Sequence, residues 1–171
     1  MSRSRAALTF LGVALLTAGC DHAVKHAARI ALGDGAAHSL AGDLVRFELT
    51  HNAGGFLSLG ERLAPAPREA LFLVLTPLLI AALLASTLRA AASSRTALAG
   101  LALVSGGGLA NWLDRLVNSG TVTDFVSLGV GPLRTGIFNL ADVAVMAGAA
   151  LLILAPGRPA ARSPNAERRE S

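Results

Sequence analysis

The 171-residue chain has one cysteine, Cys20, and few aromatic residues (4%), and only 15% of its residues are charged. A lone cysteine excludes an intramolecular disulfide and cannot build a metal site by itself, and the four histidines are scattered without ligand spacing. No metal is expected. No glycine loop has the pattern that cradles phosphate, so no nucleotide, flavin or other cofactor is expected either. Gly106-Gly107-Gly108 lies inside an apolar segment, where close helix packing explains it. The net charge of +4 would suit nucleic acid. The basic residues, however, sit mainly at the chain ends and in one short loop without interleaved aromatics, so no nucleic-acid partner is expected.

What is abundant is apolar surface. With 53% hydrophobic residues and a mean hydropathy of +0.56, the chain cannot hide its apolar surface in one soluble core. A spanning helix needs about 20 apolar residues, so there is room for about four. The expected fold is mainly α and integral to the membrane, with four transmembrane helices over about 6–32, 70–88, 96–113 and 136–155 in a single domain, 1–157. The second segment is interrupted by Pro77, and the fourth stops before Pro156-Gly157. Between the first two spans lies a polar region in which Val45-Arg-Phe47-Glu-Leu49-Thr alternates as a half-buried strand does, predicting a small β element over about 36–60. Residues 158–171 read as a basic, disordered cytoplasmic tail.

The arginines orient the spans. Arg3 and Arg5 precede the first, Arg89 and Arg95 bracket the loop between the second and third, and Arg158, Arg162, Arg168 and Arg169 follow the fourth. All three regions fall on one side of a four-span topology, which the positive-inside rule makes cytoplasmic. Both termini are then cytoplasmic, and the β region and the connection 114–135 lie together on the extracytoplasmic side.

Two aspartates, Asp124 and Asp142, flank the start of the last apolar stretch. A carboxylate near hydrocarbon costs roughly 2.5–3.5 kcal/mol on insertion scales, so it marks a functional site by default, and two of them suggest a shared proton. Asn139 lies three residues before Asp142 and shares its helical face, or caps the span. Asn111 and Arg115 are one turn apart at the outer end of the third span; Arg115 could alternatively snorkel to headgroups with Asp114 as its partner. Asp21 and Lys25, at i and i+4 with the acid first, read as a structural ion pair, and Asp114 reads as structural too. The alternative partner for Asp142 is Arg134.

Two rival classes fit parts of this pattern. Leu16-Thr-Ala-Gly19-Cys20 looks like a lipoprotein signal whose cysteine becomes a lipidated N-terminus, but Thr17 stands where such signals usually have Leu, and three more apolar segments follow. Cys20 is therefore expected to be a small buried residue facing a helix neighbour. A transporter or assembly subunit would carry polar groups along a path through the spans, whereas here they cluster at the outer ends.

Asp21-His-Ala-Val-Lys25, Asn52-Ala-Gly54-Gly55, Gly106-Gly-Gly-Leu-Ala-Asn111-Trp-Leu-Asp114-Arg115, Val122-Thr-Asp124-Phe125 and Phe138-Asn139-Leu-Ala-Asp142 occur in this order across the four spans. Together they resemble the ordered blocks of signal peptidase II, the bacterial lipoprotein signal peptidase. The resemblance covers roughly residues 7 to 155. It implies an intramembrane aspartic endopeptidase of the bacterial inner membrane that removes signal peptides from diacylglyceryl-modified prolipoproteins by cleaving before the lipidated cysteine. Its partners would be prolipoprotein substrates and membrane lipids, it would act as a monomer, and its active site would lie near the extracytoplasmic face. By resemblance Asp124 and Asp142 are the catalytic pair, and Asn52, Gly54, Asn111, Arg115 and Asn139 bind substrate or orient the pair. Gly55-Phe56-Leu57-Ser58 departs from the family's common Ala-Ala-Phe-Ser and would reshape the substrate cradle.

Overall fold

The computed structural model describes residues 1–54, 63–90 and 94–155. The Gly55–Ser58 departure, Arg158 and the rest of the basic tail lie outside these residues. The described chain is mostly helical, with a small antiparallel sheet. The order is α1 (Arg3–Ala31), β1 (His38–Leu40), β2 (Val45–Asn52), α2 (Pro65–Glu69), a π-helical turn (Ala70–Leu75), α3 (Thr76–Ala90), α4 (Arg95–Val117), β3 (Val122–Val130), β4 (Leu133–Arg134) and α5 (Leu140–Leu154).

Three helices are long and apolar enough to cross a membrane, Arg3–Ala31, Ala66–Thr87 and Arg95–Val117, and Leu140–Leu154 is a shorter apolar helix. The helix bearing the second of these begins at Pro65, a residue suited to the first turn because its missing N–H would be unpaired there anyway. It continues without a break through Pro77. That proline cannot donate to the carbonyl four residues back, Leu73. The helix widens into the π turn immediately before it, and the Leu73 carbonyl accepts the Trp112 indole N–H at 3.0 Å instead. The freed backbone group thus ties α4 to the π turn.

Small residues let the helices approach closely. Gly100 and Gly148 face one another so tightly that a Cβ on either would meet the other's carbonyl oxygen at 2.7–2.8 Å, and a Cβ on Gly106 would meet the Ala14 carbonyl oxygen at 2.7 Å. Along α1 the buried stripe is Ala6, Phe10, Ala14, Ala18, Asp21, Lys25 and Ala28, a spacing of three and four residues. Cys20 falls off that stripe and is exposed. The expectation of a buried cysteine is corrected accordingly, since its neighbour in a membrane would be lipid.

The sheet is larger than the sequence suggested, four strands in the order β1-β2-β3-β4. β2 pairs antiparallel with β3, setting Thr50 opposite Asp124 and Asn52 opposite Val122, with an irregularity between Phe47 and Thr50. Ala28, Leu32 and Phe125 form a buried cluster with Phe47, Leu49 and Val126 packed on it, fixing the sheet to the end of α1. At the far edge Arg134 reaches the carboxylate of Asp43 at 2.7 Å, so it is not the partner of Asp142.

Candidate active site

Asp142 occupies the first turn of α5, where Asn139 closes a capping box: the Asn139 side chain accepts from the Asp142 N–H at 3.0 Å, and the Asp142 carboxylate accepts from the Asn139 N–H at 3.2 Å. Capping leaves the Asn139 amide nitrogen free to point elsewhere. It donates to Asp124 Oδ1 at 2.6 Å and to Asn111 Oδ1 at 3.1 Å. One residue therefore touches both aspartates, one through its side chain and one through its backbone. The two readings of Asn139, cap and carboxylate holder, hold together.

Each of the four dyad oxygens receives an N–H. Asp124 Oδ2 accepts from Asn52 Nδ2 at 2.9 Å, and Asp142 Oδ1 accepts from Asn111 Nδ2 at 2.9 Å; the other two take the Asn139 contacts just described. An asparagine amide could present either end, and each of these three is held by a group that can only donate. The Gly54 N–H points at Asn52 Oδ1 at 2.8 Å, the Asp142 N–H at Asn139 Oδ1, and the Lys25 ammonium at Asn111 Oδ1 at 2.9 Å. Every amide nitrogen is thereby turned onto a carboxylate.

Asp124 is buried on β3. Burial, and then the neighbouring charge of Asp142, push its carboxyl up to about 6, against the opposing hydrogen bonds from Asn52 and Asn139. Two close carboxyls, one of them reluctant to ionise, can hold a single proton between them and so offer an acid and a base at once.

Lys25 and Asp21, buried completely, pair at 2.6 Å as their spacing predicts. Sequence spacing could not show that Lys25 also meets Asp114 at 2.9 Å from α4. Asp114 in turn accepts the Thr123 N–H at 3.0 Å, next to Asp124, and Asp21 accepts the Ala141 N–H at 2.8 Å, next to Asp142. Arg115 does not pair with Asp114. Its guanidinium stacks 4.1 Å over Phe72 and donates to the Asn111 carbonyl at 3.2 Å. Thr123 is a further site neighbour that only its adjacency to Asp124 marks in the sequence; its hydroxyl accepts from Arg29 at 2.6 Å. Beside Asp142 an apolar groove of about 600 Å³ opens between the sheet and α5, lined by Leu128, Ile137, Phe138, Val143 and Met146. Among the described residues no group of three or more His, Cys, Asp or Glu side chains is placed to hold a metal ion.

The chain is similar to bacterial membrane proteins of known name. A lipoprotein signal peptidase of Paraburkholderia phymatum is 33% identical over 146 residues, 84% of each chain. One of Methylorubrum extorquens is 45% identical over 76 residues, so that the matched stretch spans less than half of that relative, 44% of each chain. A bacterial membrane enzyme solved by the in meso method at 1.9 Å resolution superposes with a TM-score of 0.72 at 22% identity, covering 85% of this chain and 90% of that one, which establishes the shared fold. The family model for signal peptidase (SPase) II matches residues 13–156, and that match, over most of the chain and all of the site, makes this multi-pass bacterial membrane protein a member of the signal peptidase II family.

Proposed function

We propose that this chain is an intramembrane aspartic endopeptidase that removes signal peptides from diacylglyceryl-modified prolipoproteins, cleaving before the lipidated cysteine with Asp124 and Asp142 as its catalytic dyad. The observation that carries this reading is the donor pattern on the two carboxylates: four oxygens, four N–H groups, and Asn139 joining both residues. Such a cage stabilises negative charge where it must form and costs no reorganisation during reaction. One carboxyl, protonated, polarises the scissile carbonyl; the other, ionised, takes a proton from the attacking water. Which residue holds which role changes during the cycle, because the proton belongs to the pair. Asn52, Asn111 and Asn139 orient the dyad, Gly54 orients Asn52, and Arg115 is the cation available to substrate carbonyls or lipid.

The same reading places four crossings in the cytoplasmic membrane, with both termini cytoplasmic and the sheet on the outer face. Support comes from the arginines and from the position of all the polar site residues at one end of the helices. A crossing over the 15 residues of α5 rises about 22 Å against a hydrocarbon core of about 30 Å, so the dyad would sit below the headgroups. A substrate carrying two acyl chains could then enter laterally. The apolar groove beside Asp142 offers those chains a surface next to the reacting bond. The acting unit is proposed to be a monomer.

The test is cleavage of a diacylglyceryl-modified precursor by the purified protein and by Asp124→Asn and Asp142→Asn. Each substitution keeps the side chain's shape and one accepting oxygen while removing the ionisable group, so each is expected to abolish cleavage in a folded protein. Near-normal turnover by either variant would overturn the dyad.

A further inference from the structure

We infer that Lys25 is a positioning residue for the dyad: its buried ammonium fixes the orientation of the Asn111 amide and so keeps an N–H on Asp142. This rests on the peptidase reading above and extends it to a residue that never touches the reacting carboxylates.

The geometry is specific. Lys25 lies on α1, fully buried, and its ammonium faces three oxygens: Asp21 Oδ2 at 2.6 Å, Asp114 Oδ2 at 2.9 Å and Asn111 Oδ1 at 2.9 Å. The two carboxylate contacts are ion pairs and the Asn111 contact is a hydrogen bond, which the ammonium can only donate because it has no acceptor to offer. A buried ion pair alone would need only the first two contacts. The third is directed at an amide whose other end donates to Asp142 Oδ1 at 2.9 Å. Were that amide reversed, its NH₂ group would point at the ammonium and at the Asn139 NH₂, and its oxygen would point at a carboxylate oxygen.

Lys25 is the closer of the two donors that oppose reversal. The other, Asn139 Nδ2, lies 3.1 Å from Asn111 Oδ1 and is shared with Asp124 at 2.6 Å. Removing Lys25 leaves only that divided contact. A reversed Asn111 then becomes accessible, and it presents an acceptor that a protonated Asp142 can satisfy and an ionised one cannot. The titratable and charged groups facing this corner are Asp21, His22, Lys25 and Arg29 on α1, Asp114 and Arg115 on α4, Asp124 on β3 and Asp142 on α5. The last two bear the substrate chemistry, and the others set its electrostatic surroundings.

Simple deletion of the ammonium would strand two buried carboxylates, so the experiment uses a compensated background. Asp21→Asn retains an oxygen for the Ala141 N–H, and Asp21→Asn with Lys25→Met removes one charge of each sign. The full chain, reconstituted in lipid, is assayed on a diacylglyceryl-modified precursor as a four-member cycle in the Asp21→Asn background: no further change, Lys25→Met, Asn111→Ala, and both. Lys25→Met is expected to lower kcat by about tenfold with KM within about twofold, and to move the acidic limb of the kcat profile to higher pH. In the Asn111→Ala background the same substitution is expected to change kcat by less than about twofold and to move the limb by less than it does with Asn111 present, since only the direct charge effect of Lys25 then remains. Losses that multiply would overturn the inference, because Lys25 would then act independently of Asn111; so would an unchanged pH profile. If the compensated variant fails to fold, Lys25→Gln, whose amide N–H groups can still point at Asn111 Oδ1, is expected to keep kcat within about threefold, and a tenfold loss there would overturn the inference. Activity surviving in Asp124→Asn or Asp142→Asn would instead refute the dyad, a result separable from either outcome here.

Discussion

Gly107→Ala should damage catalysis out of proportion to stability. Gly107 lies on α4 one turn before Asn111, and a Cβ there would land inside van der Waals contact of the Ala141 carbonyl oxygen and 2.8 Å from Val145 Cγ2, both on α5. Carbon atoms pack at about 3.5–4.0 Å, so α5 would have to retreat from α4 by about 1 Å at this point. Ala141 immediately precedes Asp142. The Asn111–Asp142 hydrogen bond, 2.9 Å in the native protein, would stretch to about 3.9 Å, beyond the range in which such bonds form. Overpacking costs about 1–3 kcal/mol, and alanine returns about 0.5–1 kcal/mol over glycine inside a helix, so the net loss of stability is about 0–2.5 kcal/mol. A misplacement of about 1 Å in a catalytic constellation costs on the order of a hundredfold in rate. Steady-state cleavage in lipid, measured beside thermal unfolding, separates the two effects. Gly19→Ala on α1, where a Cβ would meet nothing within 4 Å, is the control and should leave kcat unchanged. A folded Gly107→Ala protein with turnover within about twofold of the native would refute the argument that helix spacing sets the dyad's hydrogen bonds.

Three further outcomes can be checked. Because Asp124 holds its proton up to about pH 6, the dyad loses its last proton as pH rises past that value, so kcat/KM should fall there; Asn52→Ala, which removes a hydrogen bond favouring the ionised form, should move this basic limb to higher pH. Asp43 titrates at about 2, held down first by the hydrogen bonds from Arg46 and Ser39 and then by the charge of Arg134. That lies below an unfolded value of about 3.9, so the stability it adds is present above about pH 4 and lost as pH falls toward 2. Asp43→Asn, which also suits the left-handed backbone there (φ 70°), should lower the thermal midpoint near neutral pH, with the difference closing over that window in parallel melts. Reporter fusions at Ser94 and Gly42 should read cytoplasmic and extracytoplasmic respectively, and an extracytoplasmic signal at Ser94 would overturn the arrangement of spans.

Charge set into apolar sequence was the legible part of this protein. The i,i+4 spacing of Asp21 and Lys25 announces their ion pair, and the apolar runs locate the long helices to within a few residues; α5, however, begins at Leu140 rather than near 136, because Phe138 is held by Val126 in an isolated bridge. β3 leaves no strand pattern in the sequence. Its residues from Val122 to Phe125 are all buried, so the alternation that betrayed β2 is missing. The register of β2 on β3 was invisible for the same reason, and with it the pairing of Asn52 with Asp124. Sequence proximity puts Arg134 near Asp142, whereas the short β3–β4 hairpin turns it toward Asp43, 91 residues earlier. Contacts across such separations depend on packing, which local pattern does not encode.

The assembly of the site from a strand and a helix has a consequence for how the chain is made. Asn52 arrives early, Asp124 only after α4, and Asp142 only with α5, the last helix described. Until α5 docks on α4, Asp124 stands on the sheet without its partner, and Asn111 has no carboxylate to hold. If Asp124 and Asp142 are the catalytic pair proposed above, a nascent chain, or one stalled partway into the bilayer, carries no cutting centre that could attack unfolded neighbours. On the dyad reading, hydrolytic competence appears only when α5 seats, so biogenesis itself would serve as a safety catch.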